Sequence, residues 1–240
     1  MRSLTIALLA TSLLTPVLGA QQVITNGGYE TGSLAGWTLQ TWPQSNGGLT
    51  ATSSLTGPRS GLSQAGPRTG SYYALTDMGG PGAYSLFQTF HIDAPAASAV
   101  FSFALSTSSS AAAVIGPNFN PFGGVPNQYA SVDLFRGALA DGFSTVVPLM
   151  NFFKGAVLRS GGANPYVDYM FDLTALLNEA GDYTVRFAEV DNQGVLNLAV
   201  DNVSLQVTVT PEPASLVLQA TGLVGVAAVA RRRRNAPTTP

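Results

Sequence analysis

Apolar and polar residues alternate with a period of two through the middle of the chain. The clearest run sets Val203, Leu205, Val207 and Val209 against Ser204, Gln206 and Thr208. Such a strand has one purely apolar face and one purely polar face. Phe101, Phe103 and Leu105 stand in the same way against Ser102, Ala104 and Ser106, and Tyr183, Val185 and Phe187 against Thr184 and Arg186. A fourth run carries Tyr84, Leu86, Phe90 and Ile92 on one side and His91 on the other. Shorter strands are predicted over residues 36–42, 48–54, 71–76, 128–135, 143–148 and 166–171. Strands of this kind pair antiparallel and bury their apolar faces against one another, so the fold class is all-β, a sandwich or barrel.

The segments between strands carry their own signals. Asp191, Asn192, Gln193 and Gly194 read as a hairpin turn. Residues 173–179 give the one short helical turn. Residues 107–127 pass through a serine and alanine tract into a Gly, Pro and Asn-rich stretch with Phe119 and Phe122. That length exceeds a tight turn and predicts a mobile surface loop.

The two ends follow a different pattern. Residues 1–20 combine Arg2, an apolar stretch from Leu4 to Leu14, a break at Pro16 and the small pair Gly19 and Ala20. This is the form of a cleavable signal peptide, which brings signal peptidase as a partner. In the tail, residues 211–240, Pro211, Glu212 and Pro213 stop the preceding strand, because proline has no N–H for a ladder. The uncharged residues 214–230 would span about 25 Å as a helix, close to the roughly 30 Å of a membrane core, and predict a transmembrane helix. Arg231, Arg232, Arg233 and Arg234 follow and resist translocation, which leaves the body of the chain outside the inner membrane.

Charge is sparse, at 10% of residues, and the chain has no cysteine. Disulfides and thiolate metal sites are therefore excluded. Of 11 basic residues, Arg2 and the four tail arginines lie in the end segments. Of 13 acidic residues only Glu212 does. The folding part, residues 21–210, thus holds 6 basic and 12 acidic residues, a net charge of about −6. A mildly acidic domain with a single lysine, Lys154, does not bind nucleic acid through its phosphates.

The tail, with Pro211, Glu212 and Pro213 before an apolar span and four arginines, resembles the PEP-CTERM sorting signal of Gram-negative bacteria. The resemblance implies processing by exosortase and a mature protein at the cell surface or in the extracellular matrix, associated with exopolysaccharide. Two further sequences resemble the opening and closing strands of galactose-binding-like jelly-roll sandwiches, which include carbohydrate-binding modules. They are Asn26, Gly27, Gly28, Tyr29 and Glu30 with Trp37 after them, and the run from Leu198 to Leu205 around Asp201 and Asn202. This resemblance implies an antiparallel jelly roll bracketed by residues 26 and 205. It also implies a structural calcium between Glu30 and Asp201, which would need further oxygens to reach a shell of about six to eight.

Candidate chemistry is thin. Among Trp37, Trp42, Tyr72 and Tyr73, Trp42 before Pro43 is the expected sugar-stacking side chain, and Trp37 is expected in the core. His91 is the only histidine and has no nucleophile motif beside it. A glycosidase would need two placed carboxylates, and Glu179 and Glu189 carry no mark of tuning. The reading is a non-catalytic exported surface or matrix protein. A specific carbohydrate-binding module is the alternative, and an exported hydrolase the second alternative.

Overall fold

A computed structural model describes residues 19–159 and 161–210, together with Arg231. Nearly all of the predicted signal peptide, and the predicted sorting tail apart from Arg231, lie outside the described residues. Among the described residues no helix is long and apolar enough to cross a membrane.

Among the described residues, eleven strands form two antiparallel sheets. In chain order they are β1 (Gln21–Gln22), β2 (Thr38–Thr41), β3 (Gly47–Thr52), β4 (Tyr73–Met78), β5 (Gly82–Ile92) and β6 (Ala96–Ser109). There follow β7 (Gln128–Arg136), β8 (Met150–Gly155), β9 (Val167–Asp172), β10 (Gly181–Asp191) and β11 (Leu196–Val209). One sheet has the order β3-β4-β11-β6-β9, with β1 also paired to β11, and the other has the order β2-β5-β10-β7-β8. The all-β sandwich expected from the alternation is the architecture found.

The period-two residues fill the space between the sheets. Phe101, Phe103 and Leu105 from β6 and Leu205 and Val207 from β11 meet Tyr183, Val185 and Phe187 from β10 and Leu86 and Phe90 from β5. Phe103 packs edge-on against Phe187 with ring centroids 5.5 Å apart, and Phe152 closes the open side against Phe171 at 4.8 Å. Each fully buried Phe or Leu contributes about 1.5–3 kcal/mol relative to exposure, which accounts for a stable fold without disulfides. Trp37 lies in this core, as its place in the opening motif predicts.

Three sequence expectations change. Residues 191–194 are not a hairpin turn. β10 and β11 belong to different sheets, so this turn carries the chain across the sandwich. Its polar side chains serve the crossing. Asp191 accepts the N–H groups of Gly82 (2.9 Å) and Leu196 (3.1 Å), and Asn192 donates to the carbonyls of Pro121 (3.1 Å) and Val125 (2.8 Å). Residues 143–148 are not a strand. Asp141 and Ser144 bond the N–H groups of Phe143 and Val146 two residues on, which favours turns over a ladder. The edge strand is β8 instead, and a bulge that leaves Phe152 without a partner between the Val132–Phe153 and Asp133–Asn151 pairs breaks its alternation. Finally, the long loop begins only after Ser109, and it is docked: Phe119 is buried and Val114 bridges to Gln128.

Candidate functional site

The closing strand β11 is interrupted where its chemistry lies. The register with β6 shifts between Asp201 and Ser204, and Asn202 is left-handed with φ 53°. This bulge puts Val200 and Val203 both into the core and turns Asp201 away from it, toward residues 68–69. The opening segment reaches the same place because Gly27 has no side chain. A Cβ there would lie 1.8 Å from the carbonyl oxygen of Val203, whose N–H donates to the Gly27 carbonyl at 2.9 Å.

Glu30 and Asp201 are thereby brought together around one loop. Asp201 accepts the N–H groups of Arg68 (2.7 Å), Thr69 (3.2 Å) and Asn202 (2.7 Å). Glu30 accepts those of Ser71 (2.9 and 3.1 Å) and Tyr72 (3.1 Å). Gly70 between them is left-handed at φ 65°, and a Cβ on it would meet the Glu30 carboxylate at 2.4 Å. Burial raises the Asp201 pKa; the three N–H bonds oppose that shift, and the nearby Glu30 charge adds to it. The Glu30 oxygen with one N–H bond and the Asp201 Oδ1 each keep a lone pair. As a donor set, the two carboxylates fit the anionic part of a calcium shell, and main-chain carbonyls and neutral side-chain oxygens would have to complete it. Among the described residues no third Asp, Glu, His or Cys joins them.

A cleft of about 310 Å³ lies elsewhere, on the outer face of the five-stranded sheet. Sheet alternation sends Ala130, Val132 and Leu134 of β7 inward and Tyr129, Ser131 and Asp133 outward. Residues 110–127 and 137–149 cover part of this outer face, and Phe119, Tyr129 and Phe143 form a second, smaller core beneath them. Arg186 of β10 is buried there. Its Nε and Nη2 donate to Asp133 Oδ2 (3.0 and 2.6 Å), and its Nη1 donates to the carbonyls of Gly142 and Ser144 (3.1 and 2.9 Å). The guanidinium lies 4.6 Å from the Phe135 ring and 5.0 Å from Phe119.

That ion pair is the floor of the cleft. Ser131 Oγ donates to the Asp133 carboxylate, and Asn151 Nδ2 donates to Ser131 Oγ (3.0 Å) and Asp133 Oδ1 (2.7 Å). Lys154 Nζ lies 5.1 Å over the Tyr129 ring. The walls are Pro117 and Asn118 on one loop and residues 144–148 on the other, with Val146 and Val147 exposed.

The residues expected to act have varied positions. Trp42 is half-buried, packs edge-on against Phe143 at 5.3 Å and does not line the cleft. Tyr73 is buried, donating to the Ser54 carbonyl. His91 is exposed, with Nδ1 2.7 Å from Asp182 Oδ1. Glu179 pairs with Arg136, and Glu189 is buried between the sheets. Sequence reasoning missed Asp133, Asn151 and Arg186 because polar positions on a strand were assigned to solvent. The available signal was Arg186, an arginine between apolar neighbours on a central strand.

No protein-family model matches this sequence, and no curated protein matches it. Among solved structures, the chain is similar to the K3 cleaved adhesin domain of Lys-gingipain from Porphyromonas gingivalis, with 15% identity and a TM-score of 0.49 over 78% of this chain and 99% of that one. It is similar also to TmCBM61 in complex with beta-1,4-galactotriose, with 13% identity and a TM-score of 0.39 over 77% of this chain and 97% of that one. A third is the enzymatically active domain of tailspike protein 4 from bacteriophage CBA120, with 12% identity and a TM-score of 0.43 over 78% of this chain. The chain spans only 21% of that tailspike structure.

Proposed function

We propose that this chain is a non-catalytic, exported surface or matrix protein that holds extracellular polysaccharide, and that the cleft on the five-stranded sheet is its glycan site. The observation that carries the reading is the built floor: a buried Asp133–Arg186 pair, tied to Ser131 and Asn151, sits beneath an open cleft with apolar walls. Sugars present hydroxyls on one edge and C–H surface on the other. Fixed polar groups beside Tyr129, Val146 and Val147 suit both. Hydrolysis of a glycosidic bond would need a pair of carboxyl groups flanking it, about 5–10 Å apart. Asp133 is the one carboxylate among the cleft residues, and Arg186 engages it. That arrangement favours binding over hydrolysis. Export and exosortase sorting are part of the same proposal and rest on the end segments alone.

The test is calorimetric titration of the purified protein with a panel of soluble polysaccharides and their oligosaccharides. Saturable binding to at least one is expected. Asn151→Ala should weaken it about tenfold, the worth of roughly one good hydrogen bond, while Trp42→Ala should leave it unchanged. An empty panel would remove the glycan reading, and loss of binding in Trp42→Ala alone would move the site to that side chain.

A further inference from the structure

We infer that the glycan taken by this cleft is acidic, and that Lys154 receives its carboxylate or sulfate. The inference rests on the glycan reading of the cleft and deepens it. Three observations carry it. Lys154 is the only lysine in the chain, and it stands in the cleft. Among the described residues, Arg68, Arg136 and Arg186 are paired with Asp168, Glu179 and Asp133, whereas Arg59, Arg159 and Lys154 have no carboxylate within ion-pairing distance, and of these three Lys154 alone lines the cleft. The cleft's own carboxylate, Asp133, is already neutralised by Arg186 at 2.6 Å and only 3% exposed.

The cleft therefore carries one uncompensated positive charge, in a domain whose folding part holds twice as many acidic as basic residues. The Tyr129 face beneath Nζ fixes the ammonium on the cleft wall at a cost of only its stem's freedom. Val146 and Val147 line the same cleft and offer apolar surface to a sugar ring beside that charge. A short acidic oligosaccharide fits this field. A long polyanion would meet the acidic surface around it.

The experiment compares three ligands on the full-length protein by calorimetry at low salt: an oligogalacturonide of a few units, the same oligosaccharide after chemical reduction of its carboxyl groups, and a sulfated galactan oligosaccharide. The oligogalacturonide or the sulfated form should bind about tenfold tighter than the reduced form, a difference of about 1.4 kcal/mol. The tighter of the two identifies the acidic group. The advantage should shrink with added salt and vanish in Lys154→Gln, whose melting temperature should match that of the wild type. Equal binding of charged and reduced forms would overturn the inference and leave the glycan reading standing. An acidic preference that survives in Lys154→Gln would overturn the role of Lys154. Binding of none of the three, with an empty polysaccharide panel, would remove both.

Discussion

At the scale of the residue, one group far from its ordinary chemistry lies outside the cleft. Glu189 points into the space between the sheets, fully buried, and neither of its carboxyl oxygens has a hydrogen-bond partner. Burial holds its pKa well above the usual carboxylate range, and the neighbouring Asp191 pushes in the same direction. Asp191 is itself raised to about 7 by burial, against the N–H bonds from Leu196 and Gly82 that favour its charge. The Thr76 hydroxyl and the Tyr84 ring face Glu189 from the other strands, and Tyr84 is in turn raised to about 12 by its own burial and the Glu189 charge. Both acids hold a proton more firmly folded than unfolded, where carboxyl pKa values are about 4. For Asp191 the stabilising contribution is complete below about pH 4 and is lost as pH rises through about 7, and the raised pKa of Glu189 acts in the same direction. The melting temperature should therefore fall between pH 5 and pH 8, and the Glu189→Gln, Asp191→Asn double variant should flatten that slope. A wild-type protein that gains stability over this interval would contradict the assignment.

At the scale of the element, the bulge in β11 and the glycine in the opening segment form one device. Gly27 lets the opening segment touch Val203, the bulge at Asn202 turns Asp201 outward, and the 68–72 segment closes over Glu30 and Asp201 through main-chain N–H bonds. We propose a calcium ion in this clasp. Added calcium should raise the melting temperature of the purified protein and EDTA should lower it, and Asp201→Asn should abolish the difference. If neither reagent shifts the transition, the clasp works by its hydrogen bonds alone. The pairing of Glu30 with Asp201 was legible in the sequence through the two motifs that bracket the domain. The segment that bonds them was not, because Arg68 to Tyr72 contribute main-chain groups, and main-chain N–H groups leave no trace in residue type.

At the scale of the whole molecule, the end segments make one strong prediction. Mass spectrometry of the mature surface protein should show a start near Gln21 and loss of everything beyond the Pro211, Glu212, Pro213 region. A mature product that still carries Arg231 to Arg234 would refute the sorting proposal. Between those ends, alternation alone determined the class of fold and most of the core. Phe101, Phe103, Tyr183, Val185, Phe187 and Leu205 face inward as their period requires, since a strand has only two sides and water rejects one of them. Which strands become neighbours was decided only in three dimensions. The 191–194 segment has the composition of a hairpin turn whether it reverses the chain within a sheet or crosses between sheets, and pairing of β10 with β5 and β7 settled that choice. The cleft was decided in the same way. Asp133, Arg186, Asn151 and Lys154 come from three different strands, β7, β10 and β8, and two loops had to fold over the outer face of their sheet before polar positions that would otherwise meet water became the floor and wall of a site.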